Sequence, residues 1–173
     1  RVEIAAEYGY DNYADYAYSY VYGRDFTTGD MARIRGDIKE IMVPLMEEVW
    51  YADVDYSPLN DLKPKSGEAI LDVMEPYLGE ISGELEEAFR YMRLHELYDI
   101  QPSGDGENRS GGFTTGLPFY GDSYLFITQE EDYTDYLSVF HEFGHFASVY
   151  YDPTPSLFQN GNVDVSEIQS QGM

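Results

Sequence analysis

The sequence predicts a mainly α-helical protein with a small antiparallel β-sheet. The first observation is a stretch from Thr28 to about Tyr51, in which apolar residues recur every three or four positions, the spacing of one helix face. The second is a pair of strand-like runs, 113–116 and 123–128, on either side of a Pro-Phe-Tyr-Gly turn. The third is a segment of about 131–151 whose core stripe also follows helical spacing.

Turn and cap residues predict where the other helices begin and end. Residues 1–8 are predicted to end a helix at Gly9, and Asp11 is predicted to cap a second helix over 12–22. In the long stretch that follows, Pro44 lacks an amide donor, so we expect a kink or a local opening there. Ser66 and Ser82 precede acidic residues and apolar periodicity, which predicts capped helices over about 67–78 and 83–98.

The segment His141-Glu142-Phe143-Gly144-His145 has the H-E-x-x-H pattern. On a helix, residues i and i+4 share one face, so both imidazoles can bind a single ion. Glu142 projects beside them, where it can take a proton from a water held by that ion. One Zn²⁺ per chain is therefore the expected cofactor. The alternative is a pair of core or solvated histidines, since the pentapeptide also arises by chance.

A catalytic zinc of this kind needs a third protein ligand and one open position. Asp152 follows His145 too closely for the chain to turn back easily. Glu167 lies 167 − 145 = 22 residues beyond His145, after Pro, Asn and Gly residues that allow a second helix to start near 164. Asp164 is interpreted as the N-cap of that helix. The predicted ligands are His141, His145 and Glu167.

Three segments, in the same order as in a known family, carry a resemblance. They are the opening 8–16, the run 108–116 with 124–127, and the motif 141–145 with Val-Ser-Glu-Ile-Gln-Ser-Gln at 165–171. Together they resemble the thimet oligopeptidase and oligoendopeptidase F family of zinc peptidases. In that family Ser and Gln follow the ligand glutamate at the positions of Ser170 and Gln171. The resemblance implies a zincin-like catalytic domain.

The resemblance also implies an activity, the cleavage of internal bonds in short peptides. Glu142 is then expected to activate the water and pass its proton to the leaving amine. An extended substrate is expected to pair with the strand at Gly111, Gly112 and Phe113, because the two glycines leave the backbone uncovered. A hairpin without substrate contact is the alternative.

The sequence departs from the family in two ways. Ser148 stands where the family commonly has a further histidine, which is not a zinc ligand. Family members run to several hundred residues, and a Tyr and a His in their C-terminal part stabilise the tetrahedral intermediate, whereas this chain ends at Met173. We therefore expect residues 1–173 to form a single catalytic-domain segment that works with the remainder of a parent polypeptide. The alternatives are a non-catalytic peptide- or metal-binding fragment, and a thermolysin-like peptidase with different limits on substrate length.

Composition limits the expected partners. The net charge is −23, from 33 acidic and 10 basic residues, and such a surface repels nucleic-acid phosphates and anionic lipids. Neither nucleic acid nor membrane is expected as a partner; the charge serves solubility or, alternatively, attracts cations and basic peptides. The absence of cysteine excludes disulfides and thiolate ligands, and we expect a cytoplasmic location. The 18 tyrosines suit half-buried helix faces or a peptide groove.

Overall fold

The computed structural model describes residues 1–52, 55, 57–102, 104, 111–152 and 163–173. It is mainly helical and contains a three-stranded sheet, which confirms the predicted fold class. The chain divides into two compact units, Arg1–Asp55 and Tyr56–Met173. No helix in the described ranges is long and apolar enough to cross a membrane.

The first unit consists of short helices, two of which continue into π-helical turns. They are α1 (Val2–Glu7), α2 (Tyr13–Tyr16) with a π-helix at Ala17–Val21, α3 (Thr28–Asp37) with a π-helix at Ile38–Met42, and α4 (Val43–Tyr51). The second helix is capped by Asn12, whose side chain accepts the Asp15 amide; the predicted cap Asp11 was wrong by one residue. Thr27 and Asp30 form a capping box that starts α3 at the predicted position.

The long helical stretch opens next to Pro44, as predicted. A proline has no amide hydrogen, and its ring crowds the carbonyl four residues earlier. Here the turn before α4 is π-helical, and the Val43 amide donates to the carbonyl of Ile38, five residues earlier. The wider turn lets the chain continue as a helix through the proline.

The second unit begins with a helical hairpin. After a 3₁₀ turn at Ser57–Asp61 come α5 (Gly67–Ile81) and α6 (Gly83–Leu94). Ser66 and Ser82 cap these helices through the amides of Ala69 and Glu84, which confirms both predicted caps. The first helix contains Pro76 and continues to Ile81, past its predicted end at about 78. The second ends before 98, because Glu96 adopts a left-handed conformation with φ of 52°.

The sheet lies beside these helices and consists of β1 (Tyr98–Gln101), β2 (Gly111–Leu117) and β3 (Asp122–Thr128). The second and third strands form the predicted antiparallel hairpin, with Gly111 opposite Thr128 and Leu117 opposite Asp122. The first strand pairs in parallel with the central β3, so the strand order is β1-β3-β2 and the sheet is mixed. The sequence did not predict this strand, and its first residue, Tyr98, fell at the end of the predicted helix 83–98.

Two further helices, α7 (Thr134–Tyr151) and α8 (Val163–Gln171), complete the unit. Helix α7 packs on the sheet and on the helical hairpin, and its inner face joins their apolar side chains in one core. Fully buried residues of this core include Ile70, Leu71, Met74, Leu78, Phe89, Met92, Leu125, Val139 and Phe143. The motif helix is therefore held on two sides by rigid elements.

Candidate active site

The N-terminus of α7 is stabilised by two aspartates. Asp135 is buried, and its carboxylate accepts the amides of Glu130 and Glu131 at 2.7 and 3.1 Å. Asp132 accepts both the hydroxyl and the amide of Thr134, and these hydrogen bonds lower the pKa of the Asp132 carboxyl. Carboxylates at a helix N-terminus also interact favourably with the helix dipole. The helix therefore begins close to the predicted position, which was about residue 131.

The two motif histidines and Glu167 meet at one point. The rings of His141 and His145 lie one turn apart on α7, edge to face, with centroids separated by 5.0 Å. The Nε2 atoms of His141 and His145 lie 3.5 and 3.7 Å from Oε2 of Glu167 on α8. One donor atom from each residue falls within 4.8 Å of the other two. The structure thus brings together the three side chains proposed from the sequence.

This donor set fits zinc. Imidazole nitrogen and carboxylate oxygen bind Zn²⁺ at about 2.0–2.2 Å, and tetrahedral ligation places donors roughly 3.3–3.5 Å apart. The observed nitrogen–oxygen separations are only slightly longer. The side chains are partly exposed, at 31% for His141, 20% for His145 and 48% for Glu167, so one side of the group is open. Within the described ranges, no other group of three acidic, His or Cys side chains meets this criterion.

The neighbouring acidic residues lie elsewhere. Asp152 is the C-terminal cap residue of α7. Asp164 lies in the first turn of α8, one residue inside the helix, so its interpretation as the N-cap was wrong. Neither side chain joins the group formed by the two histidines and Glu167.

The close crossing of α7 and α8 depends on Gly144. A Cβ at this position would lie 2.7 Å from the Cα of Ser170 and 2.9 Å from the carbonyl oxygen of Gln169. Only glycine allows the two backbones to approach this closely. The buried Ser170 then donates to Oε2 of Glu167 at 2.9 Å, and this is the oxygen that faces both histidines.

The Glu142 side chain faces β2. The residue is 9% exposed, and the Thr114 hydroxyl lies 2.9 Å from Oε2 of Glu142 and 2.8 Å from its backbone carbonyl oxygen. A Cβ on Gly112 would clash first with Cδ1 of Ile127 and would lie 2.9 Å from the carbonyl oxygen of Phe126 and 3.2 Å from Cγ of Glu142. Gly112 therefore leaves room for the Ile127 side chain and, beside it, for the glutamate.

The three residues proposed to bind substrate, Gly111, Gly112 and Phe113, open β2. This strand is the last one in the described sheet, so its outer edge pairs with no described strand. Gly111 has φ of 98°, which favours glycine, and the half-exposed Phe113 ring stacks on Phe126 at 5.3 Å. Their role in binding peptide stays a prediction.

An open cavity of about 500 Å³ lies next to His141. Three helices contribute to its lining. The lining residues are Tyr77 and Ile81 of α5, Leu137 and Phe140 of α7, Ser170 and Gln171 of α8, and Met173. Phe140 thus borders the candidate metal-binding group. Phe143 instead packs edge to face on Phe89 in the core.

Solved structures place this arrangement among known folds. No protein-family model matches the sequence, and no curated protein matches it either. A structure described as oligoendopeptidase F, solved at 3.1 Å, superposes with a TM-score of 0.78 at 24% identity. An oligoendopeptidase F from Bacillus anthracis strain Ames has a TM-score of 0.75 at 21% identity. The fold is that of oligoendopeptidase F.

A third solved structure supports the same fold. The three structures together show what share of such a protein this chain covers. PZ peptidase A, crystallised with an inhibitor, has a TM-score of 0.73 at 25% identity. Each match covers 98% of this chain but only 33–34% of the solved protein. The chain therefore spans about a third of the length of these structures. The resemblance to oligoendopeptidase F inferred from the sequence is confirmed.

On the oligoendopeptidase F fold, three residues shape the site in ways that sequence reasoning missed, although Ser170 had been noted there as part of the resemblance. They are Thr114, which contacts Glu142, and Gly144 and Ser170, which set the position of Glu167. Ser170 had a detectable signal, because position i+3 from Glu167 lies on the same helix face. Thr114 lies 28 residues before Glu142 in the sequence, so no local pattern could have indicated their contact.

Proposed function

We propose that this chain forms the metal-binding part of a zinc peptidase that hydrolyses internal bonds of short peptides. The observation that supports it most is the convergence of two imidazoles and one carboxylate next to the buried Glu142. The similarity to oligoendopeptidase F structures supports the same reaction class. Under this proposal the remainder of a longer polypeptide supplies other parts of the active site.

The proposal assigns a separate task to each side chain. His141, His145 and Glu167 would hold one Zn²⁺. Bound zinc supplies a Lewis acid that polarises a carbonyl and makes water a nucleophile near neutral pH. Glu142 accepts a proton from the attacking water at its carboxylate and then donates it to the leaving amine. Ser170 holds Oε2 of Glu167 in place through its hydroxyl.

The edge of β2 is the proposed place for the peptide backbone. An extended peptide satisfies unpaired amides and carbonyls by adding as a further strand. Gly111 and Gly112 carry no side chain that would keep it away, and the exposed Phe113 offers an apolar contact.

A second candidate function is binding of metal or peptide without turnover. The observation that favours it is that the chain spans about a third of the peptidase structures it resembles. In this case the metal-binding group would still form, and cleavage would be absent.

The test combines metal analysis with a peptide assay. We expect one zinc per chain by elemental analysis and calorimetry, loss of this zinc in His141→Ala, and no loss in His95→Ala. The second variant is a matched control, because His95 is exposed at the end of α6 and does not belong to the group.

Cleavage of short peptides, with folded proteins left intact, would distinguish the proposal from its alternatives. Bound zinc and bound peptide without cleavage would favour the non-catalytic candidate. Cleavage of long substrates as well would favour a thermolysin-like specificity. A folded chain that takes up no zinc would refute the metal-binding group itself.

A further inference from the structure

Glu142 lies between two residues of β2 that share one face of the strand. Alternate side chains of a strand point to the same side, so Gly112 and Thr114 both face α7. Gly112 leaves space for Cγ of Glu142, and Thr114 reaches its carboxylate. The glutamate is thus fitted against the strand at two points along its length.

Thr114 is itself held firmly. It lies opposite Leu125 in the antiparallel pairing, and Leu125 is completely buried in the core. Threonine is branched at Cβ, which restricts its χ1 angle and therefore the direction of its hydroxyl. The hydroxyl oxygen is consequently placed by the sheet and not by the helix that carries Glu142.

The contact between Thr114 and Glu142 involves the carboxylate and the helix backbone together. Among the described residues, Thr114 is the hydrogen-bonding partner of the Glu142 side chain, and it binds Oε2. The same hydroxyl lies within reach of the Glu142 carbonyl oxygen. Because a hydroxyl carries one proton and also accepts, it can donate to the carboxylate, or accept from a protonated carboxyl while donating to the carbonyl.

We propose that Thr114 is a positioning residue that fixes the Glu142 carboxylate beside the metal-binding histidines. The inference rests on the proposed role of Glu142 as the group that moves the proton. A glutamate on a helix otherwise rotates about several bonds, and displacement of a catalytic group by about 1 Å can cost 100-fold in rate. Holding Oε2 through Thr114 orients the carboxylate before substrate arrives.

The test uses three variants of the zinc-loaded chain. Thr114→Val removes the hydroxyl but keeps the shape, and it should lower kcat about 10- to 100-fold while KM and zinc content stay unchanged. Thr114→Ser retains the hydroxyl and should restore most of the rate. Thr115→Val is the matched control, since Thr115 is exposed on the opposite face of the same strand. It should leave kcat unchanged.

The outcomes separate this inference from the proposed function. An active wild-type chain whose kcat is unaffected by Thr114→Val would overturn the positioning role and leave the peptidase proposal intact. So would a loss that Thr114→Ser fails to rescue, because the methyl group and not the hydroxyl would then matter.

If the wild-type chain cleaves no peptide, NMR can still test the contact between Thr114 and Glu142. The Glu142 side-chain carboxyl ¹³C resonance, assigned through Glu142→Gln, should move in Thr114→Val and stay in place in Thr115→Val. Movement would support the positioning contact even though the peptidase proposal had failed. An unmoved resonance in Thr114→Val would overturn it.

Discussion

Glu142 directly follows the candidate metal ligand His141 in the sequence, yet the two side chains face different structural elements. Successive residues on an α-helix are rotated by about 100°, so His141 and His145 point to α8 while Glu142 points to β2. The histidine nitrogens meet Glu167, and the glutamate carboxylate meets Thr114. Under the proposed function, the H-E-x-x-H spacing would thereby place metal binding and proton transfer on two different faces of one helix.

Substitution of Glu142 by glutamine tests this separation. Glutamine keeps the size and a hydrogen-bond acceptor but cannot take up the proton, so we expect peptide turnover to fall at least about 100-fold. Zinc content should not change, because Glu142 is not one of the three converging residues. Both quantities are measured on the same preparation.

The control for this variant is Glu130→Gln, since the Glu130 side chain is exposed and precedes the helix. It should retain wild-type turnover. Undiminished cleavage by Glu142→Gln would remove Glu142 from the mechanism.

At the scale of elements, the crossing of α7 and α8 decides whether Glu167 reaches the histidines. Gly144→Ala places a methyl group within 3 Å of the Ser170 Cα and the Gln169 carbonyl oxygen. Backbone atoms cannot move aside as a flexible side chain can, and overpacking of this kind costs about 1–3 kcal/mol. We expect a lower urea midpoint and, because α8 is pushed away, weaker zinc binding by calorimetry.

Gly83→Ala provides the comparison in the same unit. Gly83 opens α6, and a Cβ there meets nothing within 4 Å, so its stability and zinc affinity should match those of the wild type. Equal zinc affinity in Gly144→Ala would show that the crossing tolerates a side chain and that Gly144 does not set the position of Glu167.

The hydrogen bonds at the start of α7 predict how the stability of the chain depends on pH. Hydrogen bonds from Thr134, first from its hydroxyl and then from its amide, lower the pKa of Asp132 below its usual 3.8. A carboxyl with a lowered folded pKa stabilises the fold above pH 3.8, and this contribution is lost as the pH falls through the folded value. We therefore expect the wild type to exceed Asp132→Asn in urea midpoint at about pH 6, and the difference to shrink below pH 3.8.

Thr134→Val should show the same reduced dependence on pH, because it removes the hydroxyl that contributes most to the shift. A difference between wild type and Asp132→Asn that stayed constant down to about pH 3 would contradict the assigned cause.

For the whole molecule, electrostatics is dominated by a net charge of −23. Some repulsion is offset locally, since Arg93 lies within 3.2 Å of carboxylate oxygens on Glu68, Asp72 and Glu75. Each of these contacts is partly exposed to solvent, so none of them is strong. Acidic residues outnumber basic ones in the sequence by 33 to 10, so negative charge is in large excess.

Salt should therefore stabilise the chain. Raising the ionic strength from about 0.01 to about 0.15 M shortens the Debye length from roughly 30 to 8 Å and screens repulsion between distant carboxylates. The urea midpoint should rise over this range. A fall would show that the ion pairs around Arg93 outweigh the general repulsion.

Much of this fold was accessible from sequence, because its signals are local. The caps Ser66 and Ser82, the hairpin of β2 and β3, and the opened helix beside Pro44 each depend on residues only a few positions apart. The shared face of His141 and His145 follows from helix geometry alone. Helix ends were less accurate, since Pro76 was accommodated within α5 and Glu96 ended α6 early.

By itself, the sequence determined the fold class, the face of α7 that carries the histidines, the choice of Glu167 and the resemblance to oligoendopeptidase F. Only the tertiary structure decided that β1 lies parallel to β3, that Gly144 lets α8 approach, and that Thr114 meets Glu142. The physical reason is distance along the chain. A cap or a helical face is set by neighbours within one or two turns, whereas these contacts join residues far apart in sequence and form only when the core packs.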